Sequence, residues 1–119
     1  MEERRGYEDE VKSERVLVVL CTFPDEERAR QIGAVLVERQ VAACVNILLG
    51  VTSIYRWEGR IEQESEVLGV IKTTAEGYPA LEAAILELHP YDTPEVLALP
   101  VAAGSPAYLS WVLEGTGVL

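Results

Sequence analysis

Apolar residues fall in short β-type runs separated by two stretches with helical spacing. Arg15 to Phe23 (RVLVVLCTF) is β-branched and apolar, too short for a typical helix and ended by Pro24, so it reads as a buried strand. Asp25 then caps a helix with Glu26 and Glu27 in its first turn, where carboxylates offset the positive helix end. Ala29, Ile32, Gly33, Leu36 and Val37 form its apolar stripe, which runs to about Arg39. Ala42 to Glu58 is strand-like, Glu58-Gly59-Arg60 turns the chain, and Ile61 to Thr74 returns, giving a long hairpin. A second helix places Tyr78, Leu81, Ile85 and Leu88 on one face, tolerates Pro79 only in its first turn, and stops at His89-Pro90. Glu95 to Val101, between Pro94 and Pro100, predicts a short or edge strand. Ser105-Pro106 opens a last helix carrying Leu109, Trp111, Val112 and Leu113, ended by Gly115-Thr116-Gly117.

The order strand, helix, strand, strand, helix, strand, plus a terminal helix, is that of an α+β, ferredoxin-like (βαββαβ) antiparallel sheet with an extended hairpin between its second and third strands. Such a sheet carries both helices on one face and leaves the other face open. In the first strand Val16, Val18 and Leu20 oppose Leu17, Val19 and Cys21, and both sets are apolar. The third strand repeats this, with Val67, Gly69 and Ile71 against Leu68 and Val70. Apolar surface on both sides calls for a second cover, and another copy of the chain supplies it most economically, so a homo-oligomer is expected. A strand from Ala43 to Trp57 would span about 45 to 50 Å at roughly 3.3 Å per residue. Gly50 marks a bend or bulge in it, and Val51 to Trp57 must overhang the core, with Tyr55 and Trp57 as contacts to a neighbour or as clamps within the hairpin.

With 119 residues, the chain is long enough for one core and too short for two. Its formal charge of -10 opposes nucleic-acid backbones and anionic membrane surfaces, and favours cations. Residues 1–14, MEERRGYEDEVKSE, hold six acidic and three basic side chains with Val11 as the one aliphatic residue, and are expected to form a disordered acidic tail ahead of a domain over 15–115 and a short tail over 116–119. No run of about 20 apolar residues is present to span a bilayer, and no apolar signal core opens the chain, so the expectation is a cytoplasmic protein. Cys21 and Cys44 lack CxxC spacing and are expected to be free thiols.

The one histidine opens the segment His89-Pro90-Tyr91-Asp92-Thr93-Pro94-Glu95, which holds two prolines and two carboxylates. Each proline biases the preceding residue toward extended geometry, so the loop is rigid and polar. That suits an imidazole metal ligand, and it equally suits a plain connection from helix to strand.

These pieces together resemble the CutA divalent-cation tolerance family. The resemblance rests on Leu20-Cys21-Thr22, Ala42-Ala43-Cys44-Val45-Asn46, Gly50 to Gly59 (GVTSIYRWEG), Ile71-Lys72-Thr73-Thr74, His89-Pro90-Tyr91 with Pro94-Glu95, and Ala98-Leu99-Pro100-Val101. It implies a ferredoxin-like subunit in a tight homotrimer, tolerance of copper or another divalent cation, and a metal site formed by Cys21, His89 and Glu95. Some bacterial members place a second histidine where this chain has Leu88, so one imidazole is missing here. A thiolate with an imidazole suits copper, and an added carboxylate admits several divalent ions.

A catalytic reading needs a nucleophile with a base, or a phosphate-cradling glycine loop. Ser105 and Ser110 have no second histidine to serve them, and Gly50, Gly59 and Gly69 are too far apart for a phosphate loop, so a non-enzymatic role is expected. The alternative is a signal or adaptor trimer, because the subunit also resembles the PII proteins, which bind small effectors in clefts between subunits. Tyr55, Trp57 and Tyr91 would line such a cleft or, equally well, hold the trimer together.

Overall fold

The computed structural model describes residue 13 and residues 15–119; the expected acidic tail therefore lies, Ser13 apart, outside the described residues. Seven elements follow in order: β1 (Val16–Phe23), α1 (Glu26–Glu38), β2 (Cys44–Trp57), β3 (Arg60–Thr74), α2 (Tyr78–Leu88), β4 (Leu97–Pro100) and α3 (Pro106–Gly115). The strands form one sheet in the order β2-β3-β1-β4, every neighbour antiparallel. The fold is α+β, as expected, and β4 lies at an edge.

Local chemistry explains the boundaries. Asp25, extended, accepts a hydrogen bond from the Arg28 N–H at 2.7 Å and so caps α1. At the start of α2 the cap residue is Gly77, whose N–H is taken by the Thr74 hydroxyl at 3.0 Å, and Pro79 sits in the first turn where its missing donor costs nothing. The hairpin turn uses positive φ at Glu58 (49°) and Gly59 (79°). Gly50, with φ 75°, sits where the β2–β3 register shifts between Leu48 and Val51, which makes it the expected bulge.

The core lies between one sheet face and two helices. Val19, Cys21 and Phe23 of β1 and Val67 and Ile71 of β3 pack against Ala29, Ile32 and Leu36 of α1 and Leu81, Ala84 and Ile85 of α2. The α1 stripe is narrower than predicted, with Val37 42% exposed, whereas the α2 stripe holds: Leu81 and Ile85 are buried, Tyr78 and Leu88 pack half-buried against the same core, and Ala84 joins them.

The opposite face is not entirely bare. Val16 belongs to a second cluster with Ala43, Leu109, Val112 and Leu113, so α3 covers one end of this face, and Val118 beyond α3 packs on the same cluster. Trp111, expected among the apolar α3 residues, points outward and pairs with Tyr108 at a ring separation of 5.6 Å. The rest of the face stays open, with Leu48 (46%), Leu97 (57%) and Leu99 (49%) exposed. The hairpin projects as predicted, giving extents of 58 × 25 × 22 Å.

Candidate functional site

The loop after α2 folds over the end of β1. His89 has extended backbone (φ -74, ψ 138), and its ring turns inward, 7% exposed, stacked on Phe23 at 5.2 Å. Gly69 makes this packing possible, since a Cβ there would come within 2.8 Å of Phe23. His89 Nδ1 faces the Tyr91 N–H at 3.1 Å and must accept from it, so the proton is on Nε2, which donates to the Thr22 carbonyl at 2.7 Å. The imidazole is thus a neutral brace between loop and strand. Tyr91, tilted against the His89 ring at 4.8 Å, carries the connection further by donating its hydroxyl to Glu66 Oε2 at 2.8 Å.

Beside this brace opens a cleft of 660 Å³, its walls formed by Thr22, the outer hairpin and the loop. Strand alternation fills it: Glu62, Glu64 and Glu66 point to one side of β3, opposite Tyr55, Ser53 and Val51 of β2. The carboxylates of Glu62, Glu64, Glu66, Asp92 and Glu95 line it with Tyr55, Trp57 and Tyr91, and no lysine or arginine does so among the described residues. Glu66 is 8% exposed. Burial, then the hydrogen bond to Glu66, hold the Tyr91 hydroxyl protonated well above its ordinary range. The Tyr55 hydroxyl is raised in the same direction, by partial desolvation first and then by the neighbouring Glu64 carboxylate.

The three residues expected as metal ligands are not brought into one coordination sphere. Cys21 lies on the helix side of β1 and is fully buried, whereas its neighbour Thr22 faces the cleft, so a one-residue alternation turns the thiol away. Burial, then the negative charges of Glu95 and Glu66, push that thiol up to about 12, and a metal ligand needs the thiolate. His89 has both ring nitrogens committed. Glu95 is exposed and lines the cleft, available to a cation. Among the described residues no three His, Cys, Asp or Glu side chains are grouped to hold a metal. Sequence reasoning missed Glu62, Glu64 and Glu66, though their period-two spacing in IEQESE carried the signal.

The sequence and this geometry meet known proteins at the level of a family. Residues 17–115 match the family model described as CutA1 divalent ion tolerance protein. The chain belongs to the CutA family. The divalent-cation tolerance protein CutA of Thermus thermophilus is 51% identical over 100 residues, covering 84% of this chain and 97% of that protein. The solved structure of a divalent cation tolerance protein from Thermus thermophilus superposes with a TM-score of 0.84 at 50% identity, over 86% of this chain and 99% of that one. A CutA structure from Archaeoglobus fulgidus, titled a periplasmic divalent cation tolerance protein, gives 0.82 at 33% identity, over 85% and 98%. No helix among the described residues is long and apolar enough to cross a membrane.

Proposed function

We propose that the chain acts as a homotrimeric, ferredoxin-like divalent-cation tolerance protein that meets its ions, copper among them, at the acidic cleft. The observation that carries this is the convergence of five carboxylates on one cleft that no lysine or arginine lines among the described residues. Carboxylate oxygens admit hard dications and Cu(II), and give no preference for Cu(I). In this reading the cleft carboxylates, Glu64 and Glu95 among them, draw the ion in by their summed charge and not as a preformed three-ligand site, and His89 holds the loop that shapes the cleft. The thiol of Cys21 belongs to the core. A binding role is favoured over a catalytic one because the imidazole is occupied as a brace and the nearby thiol stays protonated.

The trimer is supported by the open apolar strip of Leu48, Leu97 and Leu99 and by the overhanging arm. Native mass spectrometry should find three times the 13.1 kDa subunit. A cytoplasmic address is supported by the two free cysteines and is checked by cell fractionation. Calorimetric titration with Cu(II) should show affinity falling in the Glu64→Gln, Glu95→Gln double variant. Unchanged affinity there would remove the cleft from the metal reading. A second reading, a PII-like trimer that holds a small effector, is favoured by the cleft's volume and its aromatic walls.

A further inference from the structure

Two properties of the cleft are of no use to a divalent ion. Its 660 Å³ lies within the roughly 300–1,000 Å³ typical of small-molecule sites, and Tyr55, Trp57 and Tyr91 give it aromatic walls. A hard dication gathers oxygen ligands at short range and gains little from ring faces. An organic cation uses both kinds of wall, with its charge over the rings and its N–H groups on carboxylates.

The local bonding leaves those surfaces free. The Tyr91 hydroxyl is engaged with Glu66, so this phenol orients a carboxylate while its ring, like that of Tyr55, remains as a wall. Arg60, opposite Trp57 in the hairpin register, is not among the residues lining the cleft. Glu66 is the most telling group. It is more than nine-tenths buried at the cleft wall, and a neutral hydroxyl is its hydrogen-bond donor. The Tyr91 hydroxyl holds this carboxylate in one orientation at the wall, so an entering N–H donor meets an acceptor already in place.

We propose that this cleft binds an elongated organic cation bearing amine or guanidinium groups, seated between Tyr55, Trp57 and Tyr91 with its N–H donors on Glu62, Glu64 and Glu66. This rests on reading the cleft as a small-molecule site and deepens the second reading above. It excludes anionic effectors, which five carboxylates repel.

Agmatine, which carries an amine at one end and a guanidinium at the other, is the probe. Titration of the full-length protein in its native assembly, followed by calorimetry, should give saturable binding at physiological salt. Trp57→Leu should weaken it about tenfold and Trp57→Phe by much less, since the second keeps a ring face. Glu64→Gln should weaken it as well, with native mass and circular dichroism unchanged in all three variants. Absence of saturable binding, or equal affinity in Trp57→Leu and wild type, overturns the proposal. Binding of 2-oxoglutarate or ADP in the cleft without agmatine binding would overturn the cationic assignment while leaving the small-molecule reading intact; no binding by any of them removes both. Agmatine binding that persists when Cu(II) binding proves absent supports the inference and sinks the metal reading alone.

Discussion

The two halves of the β2–β3 hairpin belong to one pair of strands joined across a bulge, yet they live in different surroundings. The inner half of β3, from Val67 to Thr74, alternates buried and half-buried residues because α1 and α2 cover one face and α3 caps part of the other. Beyond the bulge at Gly50 the same two strands have no helix over them, and Ile54, Trp57 and Ile61 are each 62% exposed. Backbone hydrogen bonding alone therefore makes the arm a ladder, and packing makes the body a fold. The arm's two faces differ in chemistry. One carries the glutamates with Tyr55 and Trp57, and the other carries Ile54, Arg56 and Ile61.

That contrast can be broken at its strongest point. Ile71, fully buried between β1 and the helices, should cost about 2–5 kcal/mol of unfolding free energy on truncation to Ala, measured by denaturant titration. A loss below about 1 kcal/mol would mean the body is held by assembly and not by its own core.

Alkaline pH probes the body as well. The Cys21 thiol is raised from 9.0 to about 12 in the fold, so the folded chain holds a proton that the unfolded chain releases. The corresponding stability is fully present below pH 9 and lost as pH rises toward 12, at up to about 1.4 kcal/mol per pH unit. Tyr91 shifts in the same direction and adds to this loss. Cys21→Ala should flatten the slope of stability against pH in that window, and an unchanged slope would assign the loss elsewhere.

The smallest expected effect sharpens the comparison from the arm. Ile54→Ser replaces a side chain already 62% exposed, so the subunit's own stability should move by less than about 0.5 kcal/mol. If the apolar face of the arm is a contact between copies, native mass should shift from trimer toward 13.1 kDa while circular dichroism stays the same. A variant that keeps its native mass would place the intersubunit contact off this face.

Much of the fold was legible because the local signals agreed with one another. Asp25 before Glu26-Glu27, Pro79 in a first turn, Gly59 in a hairpin turn and Gly50 in a long strand each have one cheap structural solution, and the chain adopts it. The site was legible only in part. His89 stood out by being rare and followed by a proline, and it does organise the cleft, although as a brace with both nitrogens occupied. Cys21 misled because the identity of a residue does not say which face of a strand it occupies, and its neighbour Thr22 took the position facing the cleft.

The sequence by itself determined the elements, their order, the projecting arm and the family, since capping, turn chemistry and hydrophobic period act over a few residues and need no distant partner. Tertiary structure alone decided that α3 closes one end of the open sheet face, that Tyr91 reaches Glu66, and that the Glu62, Glu64 and Glu66 row faces three aromatic rings across a cleft. Those contacts join segments distant in the chain, and strand register with the path of one loop, which no local signal encodes, brings them together.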